Sequence, residues 1–353
     1  MTNTTSDASR TLLTRDYWPT AGWQESTPDA QGMDADRLAQ ADRQLAADYP
    51  NIESLIVVRH GRIVYERYTG KTGPDRLHNL KSATKSVLSL LIGIALQTGD
   101  LEALDDRLAY FFPEYFTSSI DSGKREISLR HLLMLRSGLE WDEWGPNTIE
   151  MMRSDHWIRY VLDRPLAHEP GTVFAYSTGD TQLLAGALQK ASGLTTLEFA
   201  NLYLFQPLGI TLYTWPTDPQ GYNVGGADLS LSPRDMAKIG YLVLNQGKWD
   251  GQTLVRPDWV EEATRQHSTV VPPVAGTYPP LYYGYLWWLR PQAGHASAIA
   301  VGLGGQFIYV IPALDLVVVM TGRLERIPRL FRNNGMIREV NILEDFIVPA
   351  VTE

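Results

Sequence analysis

The feature that most constrains the fold is the position of the strand-forming segments, which lie at the two ends of the chain. Near the N-terminus, residues 54–58 and 63–68 are rich in β-branched and aromatic residues, and His60-Gly61 between them predicts a tight hairpin turn. Near the C-terminus, residues 306–311 and 316–320 have the same character. Between these ends the sequence patterns are mainly helical and are separated by Pro and Gly.

No linker rich in Pro, Gly or Ser separates the helical block from the strands, which disfavours two sequential domains. Strands from both ends can instead join one antiparallel sheet that carries the helical block as an insertion. The sequence therefore predicts an α+β fold. Residues 1–78 and 286–353 would form an α/β domain built from both termini, and residues 79–285 would form a mostly helical domain. A length of 353 residues fits about two such units.

Individual elements follow from the same patterns. Helical spacing predicts a helix over residues 33–47 and another over residues 82–96, with Gly99 placed to end the second one. Residues 1–30 are expected to form a loose arm that carries Trp18 and Trp23, and residues 337–351 a closing helix.

Composition excludes several classes of function. The chain contains no cysteine, which removes thiol nucleophiles, disulfides and Cys-ligated metals. It has no His-Glu-x-x-His motif and no His-x-x-x-His pair, so we expect no metal and no other cofactor. A net charge of −9 lacks the basic footprint of a nucleic-acid-binding protein. The most apolar stretch, residues 87–96, is about half of the ~20 residues that span a bilayer, so we expect a cytoplasmic protein without a membrane partner.

The first chemical motif is Ser82-x-x-Lys85. Residues three apart on a helix share a face, so Lys85 can reach the Ser82 hydroxyl, and an apolar run directly after it favours burial. Burial lowers the pKa of a lysine and so allows it to act as a base toward serine. The motif alone also fits a chance occurrence with a helix-capping serine, and Ser86 is a second serine nearby.

Two further segments strengthen this interpretation. Tyr176 lies in a turn before a predicted helix, where its phenol could share a proton with Lys85, although a core tyrosine is the simpler alternative. Residues 298–306 place three glycines before a strand, and a backbone N–H there could bind an oxyanion together with that of Ser82. Taken alone, that segment equally fits a Gly-rich β-turn.

The order of these motifs resembles the serine β-lactamase and penicillin-binding-protein superfamily. The resemblance is to its class C-like branch, which includes family VIII carboxylesterases and 6-aminohexanoate-dimer hydrolases. It spans nearly the whole chain and includes residues 131–139, 204–210, 231–238 and 283–288. It implies a β-lactamase/transpeptidase-like fold, in which an antiparallel sheet is flanked by helices and the active site lies in the cleft beside an inserted helical domain.

The resemblance also implies residue roles. Ser82 would be the acyl-enzyme nucleophile, Lys85 and Tyr176 the general-base pair, and the N–H groups of Ser82 and Leu303 the oxyanion hole. The chain departs from the penicillin-recognising members at two places. Thr178 stands where they usually carry Asn, and Ala300-Val301-Gly302 stands where they carry Lys-Thr-Gly. The second change removes the cation and hydroxyl that hold a substrate carboxylate, which disfavours β-lactams.

The family places several aromatic segments around the cleft, and aromatic walls suit a neutral, apolar substrate group. The residues predicted to line the substrate pocket are Trp144, Trp141, Tyr283, Trp287 and Gly302.

We therefore expect a serine hydrolase whose substrates are small-molecule carboxylic esters, with activity on amides as an extension. The same three residues would also serve an amidase for linear oligoamides or carbamates. A weak β-lactamase and a non-catalytic penicillin-binding-like module are less favoured alternatives. Whether the chain forms a homodimer is left open by the sequence.

Overall fold

The computed structural model describes residues 14–117, 121–270, 281–326 and 340–352. Part of the predicted N-terminal arm and residues 337–339 of the predicted closing helix therefore lie outside the described residues. Over residues 340–350 the chain is helical, as a short α-helical turn followed by a π-helical and a 3-10 turn.

The strands and helices are numbered in chain order. The strands are β1 (Ile52–Arg59), β2 (Arg62–Tyr68), β3 (His78–Asn79), β4 (Ser230–Leu231), β5 (Lys248–Trp249), β6 (Gln252–Thr253), β7 (Ser268–Val270), β8 (Leu281–Tyr283), β9 (Trp288–Leu289), β10 (Ala298–Gly302), β11 (Gln306–Ile311) and β12 (Leu316–Gly322). The α-helices are α1 (Ala35–Asp48), α2 (Thr84–Thr98), α3 (Leu108–Phe111), α4 (Leu129–Leu133), α5 (Pro146–Arg153), α6 (Trp157–Leu162), α7 (Thr178–Ser192), α8 (Thr196–Ala200), α9 (Gln206–Leu208), α10 (Pro233–Leu244), α11 (Pro257–Ala263) and α12 (Val340–Ile342).

One eight-stranded antiparallel sheet joins the two ends of the chain, in the order β2-β1-β12-β11-β10-β9-β8-β7. The join is the pairing of β1 with β12, in which Leu55 lies opposite Met320 and Val58 lies opposite Val317. Every residue of both strands is buried, so each face of the sheet is covered here. The predicted α+β fold, with one sheet built from both termini, is confirmed.

The predicted hairpin between β1 and β2 is confirmed as well. His60 and Gly61 form its turn with φ values of +50° and +78°, which is the left-handed region that a two-residue hairpin of this kind requires. A side chain at Gly61 would also place its Cβ 2.4 Å from the Tyr241 hydroxyl. Glycine is therefore needed both for the turn and for the close approach of α10.

The structure differs from the predicted domain boundaries. β7 and β8 lie within residues 79–285, yet they form one edge of the main sheet. Helix α10, also assigned to the helical domain, packs on β11 and β12. Strands of three residues are too short to show a two-residue alternation, and an amphipathic helix pattern does not reveal which layer the helix covers.

Helix α2 lies in the interior. It is buried at every position from Thr84 to Ala95 and ends at Gly99, whose φ is +83°. It packs against α7, α11 and β10, and a 3-10 turn at Lys81–Ala83 precedes it. The predicted helix is thus confirmed, with a tighter first turn. None of the helices in the described ranges is both long enough and apolar enough to cross a bilayer.

The described part of the N-terminal arm is held firmly against the body of the protein, contrary to expectation. Trp18 packs against the rings of Tyr241 and Trp249, with centroids 5.7 and 5.3 Å away. Arg15 forms an ion pair of 2.6 Å with Asp315, and both side chains are more than nine-tenths buried. The arm therefore covers α10 and the turn between β11 and β12.

The contact of α10 with the sheet generates a stability prediction. A Cβ at Gly240 would lie 2.6 Å from Val317 Cγ1 and 2.8 Å from Ile308 Cγ2. Gly240→Val should therefore overpack this interface and lower the free energy of unfolding by about 1–3 kcal/mol. Urea unfolding measures the change, with Gly73→Val as a control because no atom lies within 4 Å of a Cβ there. Equal midpoints for the two variants would contradict this packing.

Candidate active site

Ser82 lies in the tight turn that leads into α2 and is half-buried. The preceding residue, Lys81, has a φ of +49°, a left-handed conformation that is costly for a residue with a side chain. Its N–H donates to Asn79 Oδ1 at 2.8 Å, and Asn79 Nδ2 donates to Asp228 at 2.7 Å. These bonds hold the turn and present Ser82 at the start of the helix.

Ser82 and Ser86 differ clearly in their surroundings. Ser86 is 2% exposed, and its hydroxyl donates to the Leu286 carbonyl at 2.7 Å. Leu286 is itself in a left-handed conformation, with a φ of +61°. Ser86 therefore ties α2 to the segment before β9, whereas Ser82 remains partly accessible.

Lys85 is the second residue of α2 and is 1% exposed. Its ammonium group donates to the Gly226 carbonyl at 2.8 Å and to Thr178 Oγ1 at 3.0 Å. Burial lowers the pKa of Lys85 from 10.5 to about 8, while the Glu143 carboxylate acts in the opposite direction. A lysine with such a pKa is partly neutral near pH 8 and can accept a proton.

Tyr176 comes directly before α7, and its ring lies 5.0 Å from Lys85 Nζ. Its hydroxyl is buried and has no hydrogen bond of standard geometry within the described residues. Burial raises the pKa of Tyr176, whereas the neighbouring side chains of Ser82 and Trp288 act to lower it. The structure thus brings the predicted Ser82, Lys85 and Tyr176 into one site.

Gly302 and Leu303 lie at the end of β10, beside the Ser82 turn. A Cβ at Gly302 would be 2.0 Å from the Leu80 carbonyl oxygen, so only glycine allows the strand to approach the turn this closely. Leu303 follows in the turn to β11 and is half-buried. Gly302 therefore allows the backbone of β10 to lie against the backbone at Leu80. This contact brings the Leu303 peptide to the side of the site where an oxyanion hole is predicted.

The predicted aromatic pocket residues lie in different environments. Trp144 is 66% exposed, Tyr283 is 1% exposed, and Trp287 is fully buried. Trp288 rather than Trp287 stacks on Tyr176, with centroids 5.4 Å apart. Neighbouring residues of an extended segment point to opposite faces, so only one of this tryptophan pair can face the site.

The remaining predicted pocket residue, Trp141, is half-buried and packs over the first turn of α7. A Cβ at Gly179 would lie 2.7 Å from the ring, and the indole N–H donates to Glu143 at 2.7 Å. Trp141 therefore orients a carboxylate beside the site in addition to shaping its wall.

A cavity of about 470 Å³ adjoins the predicted oxyanion hole. Leu303 and Lys81 border it, and Arg76, Arg323 and Gln306 are among its polar lining residues. This space is more polar than the aromatic pocket that the sequence suggests. Within the described ranges, no three His, Asp or Glu side chains converge as a metal site would require.

Glu143 is the residue whose role sequence reasoning missed. From the sequence, Glu143 could attract an amino group of a substrate or lie exposed at the surface. In the structure its carboxylate instead accepts from the Thr178 N–H at 2.8 Å and from the Thr178 hydroxyl. Thr178 in turn accepts from Lys85. The partners are 35 residues apart, and no local pattern in the sequence reveals such a pairing.

Comparisons with known proteins agree with this arrangement. The sequence profile described as Beta-lactamase matches residues 37–340. A 6-aminohexanoate-dimer hydrolase from Paenarthrobacter ureafaciens is 25% identical over 286 residues, which cover 76% of this chain and 71% of that protein. Esterase EstB from Burkholderia gladioli is 27% identical over 176 residues, or 44% of each chain.

A similar solved structure shows the same fold. It comes from a Bacillus anthracis protein assigned as a candidate 6-aminohexanoate-dimer hydrolase, with a TM-score of 0.74 and 19% identity. The match covers 92% of this chain and 86% of that one. The β-lactamase/transpeptidase-like fold expected from the sequence is thereby confirmed.

The burial of Lys85 generates a prediction about stability and pH. Its pKa is about 8 in the folded protein and 10.5 in the reference state. Between these values the unfolded chain binds a proton that the folded chain does not, so stability rises with pH. The unfolding free energy of wild type minus that of Lys85→Met should therefore increase by about 3 kcal/mol from pH 7 to 10.5.

Urea unfolding of both proteins across this pH range measures the difference. Lys71→Met removes an exposed lysine and serves as the control. A difference for Lys85→Met that stays flat with pH, or that falls as pH rises, would contradict the buried environment.

Proposed function

Because the chain belongs to the Beta-lactamase family and is therefore a serine hydrolase, we propose that it cleaves carboxylic esters through an acyl-enzyme on Ser82. The observation that carries this proposal is the fully buried Lys85 one helical turn after Ser82, with Tyr176 against it. A serine needs a neighbouring base to become a nucleophile, and burial gives Lys85 a pKa of about 8.

In the proposed mechanism, Ser82 Oγ attacks the ester carbonyl carbon while its proton passes to Lys85, directly or through Tyr176. The resulting oxyanion accepts hydrogen bonds from the N–H groups of Ser82 and Leu303. Each donor of this kind contributes roughly 3 kcal/mol to transition-state stabilisation. The proton then moves to the leaving alkoxide through Tyr176, and water releases the acid from Ser82 by the reverse sequence.

The substrate class follows from the strand beside Ser82. Ala300-Val301-Gly302 offers neither a cation nor a hydroxyl along β10, so nothing on this strand would hold a carboxylate next to the scissile bond. Neutral esters with an apolar group against Tyr176 and Trp288 are therefore the favoured substrates. The similarity to a protein named esterase supports the same choice.

A second candidate function is hydrolysis of linear oligoamides. It is supported by the similarity to a 6-aminohexanoate-dimer hydrolase, which extends over three quarters of the chain. Cleavage of an amide requires a proton on the leaving nitrogen, and the Tyr176 hydroxyl would donate that proton. Leaving-group fit then decides between the two substrates.

The nucleophile can be tested by covalent labelling. A fluorophosphonate should modify wild type once, at Ser82, and should leave Ser82→Ala unlabelled in intact-mass and peptide-mass measurements. Ser86→Ala is the matched control and should label, because its hydroxyl is already bound to Leu286. Labelling of Ser82→Ala at an unchanged rate would overturn the proposed nucleophile.

Substrate preference can be tested with a panel of p-nitrophenyl esters, 6-aminohexanoate oligomers, carbamates and nitrocefin. We expect kcat/KM for short neutral esters to exceed that for nitrocefin by at least about 100-fold, the effect of roughly 3 kcal/mol in the transition state. All turnover should disappear in Ser82→Ala. Preferential cleavage of nitrocefin would contradict the role given to β10, and preferential cleavage of oligomers would favour the second candidate function.

A further inference from the structure

Glu143 is held beside the proposed catalytic residues by hydrogen bonds from Trp141, Thr148 and Thr178. Its carboxylate accepts from Trp141 Nε1 at 2.7 Å, from the Thr178 N–H at 2.8 Å and from Thr178 Oγ1 at 2.5 Å. Each of these bonds comes from an N–H or a hydroxyl group, which fits an ionised carboxylate that only accepts. These donors hold the Glu143 carboxylate in place, and the Thr178 hydroxyl lies between it and Lys85.

The charge on Glu143 sets the direction of the next hydrogen bond. An ionised carboxylate only accepts, so the Thr178 hydroxyl must donate to it and has only lone pairs left for Lys85. The Gly226 carbonyl, the other partner of Lys85, also only accepts. Two N–H bonds of Lys85 are therefore directed to Thr178 and Gly226. The remaining site on Lys85 Nζ is a third N–H when the lysine is charged and a lone pair when it is neutral. This site is left for Ser82 and Tyr176.

We propose that Glu143 is a positioning residue that acts through Thr178 to keep the reactive position of Lys85 free and directed to Ser82. Glutamine at this position would reverse the arrangement. Its carbonyl oxygen would take the bonds from Trp141 and the Thr178 N–H, and its NH₂ would donate to the Thr178 hydroxyl. That hydroxyl would then turn its proton to Lys85 and occupy the lone pair. The proposal rests on the role of Lys85 as base in the proposed function.

The Glu143 charge also affects the pKa of Lys85 directly. The Glu143 charge opposes the lowering of the Lys85 pKa by burial, and its removal would lower that pKa further. The other titratable groups that the charge affects are Tyr176, Tyr283 and Asp180, and it raises the pKa of each. Asp180 has a pKa of about 7, raised mainly by burial. Its titration therefore overlaps with that of Lys85 and must be separated from it.

The test compares pH profiles of kcat/KM for wild type, Glu143→Gln and Glu140→Gln. Glu140 is exposed and three residues away, so its variant removes an equal charge as a matched control. Glu143→Gln should lower the plateau at least about tenfold and move the acid limb to lower pH by about one unit. If Glu143→Gln loses activity but the acid limb of its pH profile stays in place, Glu143 has only a structural role and the proposal is wrong. A pH profile equal to that of wild type would also overturn the proposal.

A second measurement follows Lys85 itself and needs no turnover. In protein labelled with ¹³C at lysine Cε, the Lys85 resonance is assigned by its loss in Lys85→Met and then titrated. The pKa of Lys85 should fall by about one unit in Glu143→Gln and stay unchanged in Glu140→Gln. An equal pKa in all three proteins would overturn the proposal. A shifted pKa in a protein that cleaves no ester would reject the proposed function and leave this inference intact.

Thr178→Val provides a variant that keeps Glu143 and its bond to Trp141. It removes the hydroxyl that links the two charged groups, so it should also lower the pKa of Lys85. If Glu143 acts through Thr178, the shift in the double variant should be clearly smaller than the sum of the two single shifts. Fully additive shifts would show that the carboxylate does not act through this hydroxyl. If Glu143→Gln does not fold, an unchanged Lys85 pKa in Thr178→Val would overturn the proposal.

Discussion

The site depends on the burial of one lysine. Removing an ammonium group from water is costly, and a side chain in that position tends to become neutral. Lys85 keeps two polar partners there, the Gly226 carbonyl and the Thr178 hydroxyl. A side chain at Gly226 would crowd this site, because its Cβ would lie 2.7 Å from both Thr178 Cγ2 and Thr181 Oγ1. The same burial that opposes folding lowers the pKa of Lys85 to about 8, which suits the base that we propose for Ser82.

The fold makes this burial feasible by surrounding α2 on several sides. Helices α7 and α11 and strand β10 pack against it, and twelve consecutive residues have almost no exposure to solvent. The close contact of Gly302 with the Leu80 carbonyl brings β10 against the Ser82 turn. The sheet that includes β10 is itself completed by β1 and β2 from the other end of the chain. Residues far apart in sequence thus meet at one helix terminus.

Much of this arrangement could be predicted from the sequence because it is encoded locally. The hairpin at His60-Gly61, the helix after Ser82 and the strands at both ends each follow from short patterns. The three-residue strands β7 and β8 could not be assigned, since they contain too few residues for a period to appear. The choice between Trp287 and Trp288 depends on which face of an extended segment points inward. The role that we propose for Glu143 depends on a pairing with Thr178 that only the tertiary structure creates.

Attack by Ser82 can be observed most directly in a crystal structure of the protein after reaction with a fluorophosphonate. We expect a phosphorus–oxygen bond at Ser82 Oγ, with the phosphonyl oxygen within hydrogen-bond distance of the Ser82 and Leu303 N–H groups. Lys85 should still donate to Thr178 and Gly226. Phosphonylation at another residue, or a phosphonyl oxygen directed away from Leu303, would contradict the proposed nucleophile and oxyanion hole.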